Sequence, residues 1–83
     1  MSFNIKEMIY VLTIEKEKSI TKAAKELNMN QSSLNRCIKR MEEELGTTVF
    51  WKTRVGLIPT VVGKAYLSAA KDIVEMEVQL KKG

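Results

Sequence analysis

Side chains able to form specific hydrogen bonds are concentrated in the segment QSSLNRCIK, residues 31–39. At about 100° per residue of an α-helix they share one face, which we call the polar arc: Ser32, Asn35, Arg36 and Lys39, with Gln31 at its edge. Amide and guanidinium groups are the ones that pair with base edges in the major groove of DNA. The alternative is the ordinary solvated face of an amphipathic helix. The chemistry available to the polar arc is therefore the recognition of a DNA sequence.

Other chemistries lack the residues that they need. The sequence has no histidine and one cysteine, Cys37, which excludes His-based acid–base catalysis and the usual His or Cys zinc sites. No nucleophile has a base beside it, and no glycine-rich phosphate loop occurs. We therefore predict no enzymatic activity, no metal and no cofactor. Cys37 is interpreted as a small buried hydrophobic residue rather than a redox switch.

Length and charge set broad limits. The 83 residues allow one small domain. The net charge of +4 is compatible with a polyanionic partner, but it is also common in proteins without one. The N-terminal sequence is unlike a signal peptide, and no run approaches the roughly 20 apolar residues of a membrane span. These features predict a cytoplasmic protein without a membrane partner.

Two short helices are predicted before the polar arc. Asn4, followed by Glu7, predicts a capping box in which each side chain satisfies a backbone donor of a first helix over residues 5–16. Ser19 predicts the cap of a second helix that continues to Asn28. The core-facing residues would be Ile5, Met8, Ile9 and Leu12 in the first helix, where Tyr10 and Val11 widen the stripe, and Ile20, Ala23, Ala24 and Leu27 in the second.

The third predicted helix carries the polar arc on one face and an apolar stripe on the other. Asn30 is a good N-cap, and Gly46 is typical of a left-handed residue at a helix end. The stripe consists of Leu34, Ile38, Met41 and Leu45. Two short helices joined by a tight turn, the second of which presents a polar arc, predict a helix-turn-helix.

Three acids, Glu42 to Glu44, follow the polar arc. Acids near DNA would repel its phosphates, so this end of the helix is predicted to tilt away from a duplex. We interpret the three carboxylates as a solvated face. Arg40 is predicted to pair with Glu44, four residues further on, in a contact worth about 0.2–0.5 kcal/mol.

Beyond Gly46, the β-rich segments TTVFWKT and LIPT flank a turn at RVG, which predicts a short hairpin around residues 49–58. Lys52 and Arg54 in this hairpin are either surface charges or bases set against a DNA backbone. Trp51 alternates with Phe50 and is interpreted as covering core or dimer surface.

The last predicted helix is capped by Thr60 and carries an apolar heptad repeat, which we call the seam: Val62, Tyr66, Ala69, Ile73, Met76 and Leu80. A seam of this length favours pairing with a second copy of the chain. The alternative is that it packs onto the first helix of its own chain.

Four segments resemble the N-terminal winged helix-turn-helix domain of LysR-type transcriptional regulators: SITKAAKEL, QSSLNRCI, MEEELGTTVFWK and TVVG. The resemblance covers the whole chain, and EEELGTTVF is its most specific part. It implies a mainly α fold of three helices, a β-hairpin wing and a long C-terminal dimerisation helix. Residues 1–58 would form the DNA-binding domain and residues 59–83 the linker and dimerisation helix.

The resemblance implies sequence-specific binding of double-stranded DNA at an inverted repeat, by a homodimer whose last helices pair, usually antiparallel. Gln31, Ser32, Asn35 and Arg36 would face the bases of the major groove. Contacts to the DNA backbone are expected from Ser19, Thr21, Ser33, Lys39, Lys52 and Arg54. In the family, the acidic position that matches Glu42 looks structural.

The chain departs from the family pattern at three positions. Asn35 stands where Ser is usual, and Asn can pair with adenine through two hydrogen bonds. Trp51 replaces an acidic or polar residue, and Lys52 replaces Arg, which keeps a charge but loses the planar fork.

Two questions stay open in the sequence. The rival interpretation is a protein-interaction module whose functional surface is the seam and whose helix-turn-helix is a scaffold. An effector ligand is expected only if a further C-terminal domain follows, because such a domain normally follows the linker helix in the family. Whether the chain is a truncated or a natural stand-alone domain is left open.

Overall fold

The computed structural model describes residues 4–82, which form four helices and a two-stranded antiparallel sheet. The elements are α1 (Ile5–Glu17), α2 (Ile20–Glu26), α3 (Gln31–Leu45), β1 (Phe50–Thr53), β2 (Gly56–Pro59) and α4 (Val61–Lys82). Their order confirms the predicted mainly α winged helix-turn-helix with a hairpin and a long last helix.

The predicted N-caps are present at the first three helices. Asn4 Oδ1 accepts from the backbone N–H of Lys6 at 2.8 Å, Ser19 Oγ from that of Lys22 at 3.1 Å, and Asn30 Oδ1 from that of Ser33 at 2.8 Å. The capping box at Asn4 is wrong in its second half, because the Glu7 carboxylate pairs with Arg40 instead of the cap. A hydrogen bond from a nearby backbone N–H to a capping side chain therefore fixes the start of each of these three helices.

A left-handed residue follows each of the helices α1, α2 and α3. Asn28 has φ 59° and Gly46 has φ 76°, as the sequence predicts. Lys18, between α1 and α2, is also left-handed, with φ 58°. Its carbonyl accepts a hydrogen bond from the N–H of Leu57 at 2.9 Å, so the turn after α1 holds the hairpin.

Gly56 makes this attachment possible. Its φ of 116° is open to glycine, and a Cβ at this position would lie 2.6 Å from the Lys18 carbonyl oxygen. We call the Lys18–Gly56–Leu57 contact the wing clamp. It lies next to the hairpin turn, so it fixes the wing against the corner between α1 and α2.

One hydrophobic core joins α1, α2, α3, the hairpin and the first half of α4. Ala23 and Ala24 are buried, and their small side chains let α2 pack closely on its neighbours. The core cluster comprises Val11, Ile14, Ala23, Ala24, Leu34, Ile38, Met41, Val49, Phe50 and Leu67. The division of function at residues 58 and 59 stays a prediction.

The predicted inward face of α1 is partly wrong. Met8 and Val11 are buried as predicted, but Ile9 is exposed, whereas Ile14, which the prediction did not include, is completely buried. The reason is that α1 packs against both α2 and α4. These two partners decide which residues of α1 are buried, and the spacing of apolar residues within α1 alone does not.

Gly63 lets α4 lie directly on the loop before β1. A Cβ at Gly63 would lie 2.0 Å from the carbonyl oxygen of Val49. Thr60 confirms its predicted role as a cap, since its Oγ1 accepts from the N–H of Gly63 at 3.0 Å. The same hydroxyl donates to the carbonyl of Thr48 at 2.8 Å. The start of α4 is thus tied to the segment that leads into the wing.

Glu42 is structural, and its interpretation as part of a solvated face is wrong. Its half-buried carboxylate accepts a hydrogen bond from the N–H of Val49 at 2.7 Å. Val49 is completely buried, so this donor has no access to water. Glu42 therefore fixes the path of the chain from α3 into β1, whereas Glu43 and Glu44 are exposed.

Because of this bond, Glu42→Ala should lower the free energy of unfolding by about 2 kcal/mol, the cost of leaving a buried donor unpaired. Urea denaturation followed by circular dichroism measures the loss. The matched control is Glu43→Ala, which should stay within about 0.5 kcal/mol of wild type. Equal stabilities for the two variants would contradict the role given to Glu42.

Candidate nucleic-acid interface

A groove of about 570 Å³ lies between the start of α3 and the hairpin, and we call it the wing groove. It brings together predicted contact residues from α2, α3 and the wing: Ser19, Thr21, Gln31, Asn35, Lys52 and Arg54. The amide side chains of α3 thus line one wall of the groove, and the basic side chains of the hairpin line the other. The remaining predicted contact residues, Ser32, Ser33, Arg36 and Lys39, lie along α3 outside the groove lining.

The hairpin places its two bases through strand alternation. Lys52 pairs with Leu57 across the sheet, and both line the wing groove. Arg54 begins the turn that links the strands. The wing clamp bonds Leu57, the partner of Lys52, to the turn before α2, so the backbone at Lys52 has a fixed position, whereas Arg54 lies in the turn beyond the strand pairs.

Trp51 does not cover the core as predicted. It is 57% exposed and pairs with Ile58, which is also exposed. The physical reason is alternation along β1, since Phe50 occupies the buried side and the next residue must face the other way. Whether Trp51 contributes to a dimer surface stays a prediction.

Hydrogen bonds order the N-terminal part of the polar arc. The Thr21 hydroxyl of α2 donates to Gln31 Oε1 at 3.0 Å. Ser32 Oγ donates to the cap oxygen of Asn30 at 3.0 Å, and Arg36 Nη2 donates to Ser33 Oγ at 3.3 Å. These bonds hold polar side chains in defined positions at the start of α3, where a duplex would meet them.

Arg40 points away from the polar arc. It pairs with Glu7 of α1 rather than with Glu44, so the predicted pair within α3 is wrong. The hydrogen bond and charge of Glu7 raise the pKa of Arg40. The crossing of α1 and α3 brings in this acid from a distant part of the sequence, and Arg36 and Lys39 are left as the bases of the polar arc.

Lys18 also lines the wing groove, although it was not among the predicted contact residues. Its position became clear only from the wing clamp, because the left-handed backbone at Lys18 turns α1 toward the hairpin. The sequence feature that could have identified Lys18 is its position as a basic residue directly before Ser19, the N-cap of α2. Cys37 is half-buried rather than buried, because it lies at the boundary between the polar arc and the apolar stripe.

A second groove, of about 420 Å³, lies beside α4 and is lined almost entirely by apolar side chains. Val62, Tyr66, Ala69 and Ile73 of the seam line it, together with Met8 and Leu45 among others; we call it the seam groove. Burial raises the pKa of Tyr66, and the charge of Glu7 adds to the effect.

The seam is not the face through which α4 contacts the core. That face consists of Gly63, Leu67 and Ala70, which are buried. Further along α4, Met76 and Leu80 of the seam are 61% and 75% exposed. The alternative, in which the seam packs onto α1 of the same chain, therefore applies only to Tyr66, which packs against the core cluster, and to Ile73, which is half-buried.

Two classes of site receive no support from the described part of the chain. Within residues 4–82, no three potential metal-ligating side chains converge. None of the helices in that range combines the length and the apolar character needed to cross a bilayer.

Comparison with known proteins identifies relatives of this arrangement. Residues 5–64 match the family described as bacterial regulatory helix-turn-helix protein, lysR family. The chain is 38% identical over 71 residues to the uncharacterized HTH-type transcriptional regulator YcgK of Bacillus subtilis, which covers 86% of this chain and 22% of that protein. It is also 38% identical over 72 residues to the HTH-type transcriptional regulator BsdA of Bacillus subtilis, covering 86% of this chain and 25% of that protein.

Among solved structures, the DNA complex of the BenM DNA-binding domain at catB site 1 superposes with a TM-score of 0.89 and 26% identity. The superposition covers 96% of this chain and 90% of that one. The chain thus spans about a quarter of the length of the curated relatives that it matches, and most of a solved DNA-binding domain.

Proposed function

The chain belongs to the lysR family of bacterial regulatory helix-turn-helix proteins, and from this premise we propose that it binds double-stranded DNA sequence-specifically as part of a transcriptional regulator. The observation that carries the proposal is the wing groove, where the amides of Gln31 and Asn35 stand opposite Lys52 and Arg54. Binding to a DNA duplex requires this combination. Lys and Arg side chains on the phosphates supply affinity, and amide groups on the edges of the nucleobases supply specificity.

The two groups of side chains have separate roles in the proposal. The residues that read bases in the major groove are Gln31, Ser32, Asn35 and Arg36. Asn35 suits adenine, because its carboxamide can donate to N7 and accept from N6. The residues that contact the DNA backbone are Ser19, Ser33, Lys39, Lys52 and Arg54; Thr21, which was predicted among them, receives a different role below. Ser19 uses its oxygen as the cap of α2, and its hydroxyl proton remains available for a phosphate.

The proposed binding unit is a homodimer formed through α4. Its support is the exposure of Met76 and Leu80 and the apolar seam groove beside them. Two copies related by a two-fold axis would place two α3 helices on an inverted repeat, with half-sites about one helical turn apart or a multiple of it. Residues 59–83 would then serve dimerisation, and residues 1–58 DNA binding.

Further parts of the proposal rest on family membership. The chain acts by binding and catalyses no reaction, and it works in the cytoplasm, where bacterial DNA is located. An effector ligand belongs to the proposal only where a longer protein includes a domain that binds one.

Arg36→Ala and Gln31→Ala should each reduce the discrimination between operator and scrambled DNA by about 1–3 kcal/mol, because each removes a base contact. Fluorescence anisotropy measures the effect on an inverted repeat selected from random sequences. Lys71→Ala, an exposed base on α4 outside the wing groove, is the control and should bind like wild type. If both α3 variants prefer the operator as strongly as wild type, the assignment of α3 as the recognition helix is wrong.

The second candidate function is a protein-interaction module, which the exposed seam favours. Salt distinguishes the two, since phosphate contacts make DNA affinity fall steeply as ionic strength rises. A stable dimer whose DNA binding is absent, or insensitive to salt, would favour the interaction module.

A further inference from the structure

One hydrogen bond joins the two helices of the helix-turn-helix at the edge of the wing groove. Thr21 is near the start of α2, and Gln31 is the first residue of α3. The Thr21 hydroxyl donates to Gln31 Oε1 at 3.0 Å. Both side chains are exposed, and both line the wing groove. The bond therefore acts on a side chain placed to meet DNA.

In this structure the bond occupies the oxygen end of the Gln31 carboxamide. With Oε1 turned toward Thr21, the NH₂ group is turned away from it, so the free end of the amide is a hydrogen-bond donor. An unrestrained glutamine reads adenine with both ends, donating to N7 and accepting from N6. That pairing needs Oε1 aimed at the base.

We propose, on the premise of the DNA binding proposed above, that Thr21 is a positioning residue that makes Gln31 read its base as a donor. Guanine fits this donor best, because its O6 and N7 are adjacent acceptors for the two hydrogens of the NH₂ group. Adenine presents a donor beside N7 and is disfavoured. Because Thr21 has one hydroxyl proton and Gln31 uses it, this proposal replaces the predicted donation from Thr21 to a phosphate.

The contrast with Asn35 strengthens the inference. Asn35 lies one turn further along α3 and lines the same groove. No such bond restrains its carboxamide within residues 4–82. Two amides of the same chemistry thus read different edges: Gln31 favours guanine, and Asn35 remains free to pair with adenine through two hydrogen bonds.

The test uses Thr21→Val, which removes the hydroxyl and keeps the branched shape, and Thr21→Ser, which keeps the hydroxyl. The base pair read by Gln31 is first located as the one at which Gln31→Ala abolishes discrimination among the four base pairs. Anisotropy then measures affinity for operators with guanine or adenine at that position. Wild type and Thr21→Ser should prefer guanine by about tenfold, and Thr21→Val should reduce this preference to about twofold or less.

Two further measurements separate positioning from other roles. Replacing that guanine by 7-deazaguanine, which lacks the N7 acceptor, should weaken binding of wild type severalfold. In the protein without DNA, NMR relaxation of the Gln31 NH₂ group should show a more mobile carboxamide in Thr21→Val than in wild type. This second readout does not depend on DNA binding.

Several results would overturn the inference alone, with operator binding intact: a guanine preference unchanged in Thr21→Val, an adenine preference in wild type, or an equally mobile Gln31 amide in both proteins. Equal weakening of Thr21→Val on operator and scrambled DNA would make Thr21 a phosphate contact and overturn it as well. A wild-type protein with no sequence preference at all would overturn both the proposed function and this inference.

Discussion

Gly63→Ala should lower the free energy of unfolding by about 3 kcal/mol, at the upper end of what overpacking costs. The added Cβ would lie 2.0 Å from the carbonyl oxygen of Val49 and 3.0 Å from its carbonyl carbon. Both are backbone atoms, so no side chain can rotate to make room. The first turn of α4 must move away, and the contacts of the Thr60 hydroxyl with Thr48 and Gly63 are lost with it.

The sign of this effect is informative. Alanine in place of glycine inside a helix ordinarily stabilises it by about 0.5–1 kcal/mol. Far-UV circular dichroism during urea denaturation measures the change. Ala65→Gly on the same helix is the matched control and should cost about 1 kcal/mol from helix propensity alone. A Gly63→Ala protein as stable as wild type would show that α4 does not lie against Val49.

The double variant Met76→Asp/Leu80→Asp should be monomeric and should bind the full inverted repeat about 100-fold more weakly than wild type. Both side chains are exposed in the single chain, so the domain itself should fold normally. Charges facing each other across the seam prevent pairing of two α4 helices. Without that link the second half-site is no longer bound at high effective concentration, which is worth about 10²–10⁴ in affinity.

Sedimentation velocity and anisotropy measure the two parts of this prediction. Affinity for an isolated half-site should be unchanged. Val78→Asp places a charge at an exposed position of α4 outside the seam, and it should remain dimeric and bind as wild type. A double variant that stays dimeric would exclude the seam as the interface. A monomer with undiminished affinity for the full repeat would show that the dimer is not the binding unit.

Local chemistry made much of the fold predictable. The caps at Asn4, Ser19 and Asn30 and the left-handed residues Asn28 and Gly46 occur where the sequence places them. Each depends on atoms a few residues apart, so composition and spacing suffice to identify it. The hairpin is predicted for the same reason, since it joins strands that are adjacent in the sequence.

Long-range contacts were not predictable in this way. Arg40 has an acid four residues away in its own helix, yet it pairs with Glu7, and only the crossing of α1 and α3 makes that acid the nearer partner. The buried face of α1 was misassigned for the same reason, since Ile14 is covered by elements that are distant in the sequence.

The candidate site likewise has a part that the sequence predicts and a part that depends on long-range contacts. The polar arc is visible in the spacing of residues 31–39, because a helix converts spacing into a face. The position of Lys52 relative to Gln31 depends on how the hairpin docks, which spacing does not encode. The bond between Thr21 and Gln31 crosses the turn between two helices, and no periodicity indicates it.

The wing clamp has a consequence for the energetics of complex formation. With Leu57 bonded to the Lys18 carbonyl, only the turn residues Arg54 and Val55 project freely from the hairpin. The backbone entropy of the wing is therefore already lost when the chain folds, and a partner that contacts Lys52 meets a rigid surface. A longer turn between Thr53 and Gly56 would extend the tip of the hairpin without moving the two strands. The length of the hairpin can thus vary while the distance between its strands and α3 stays constant.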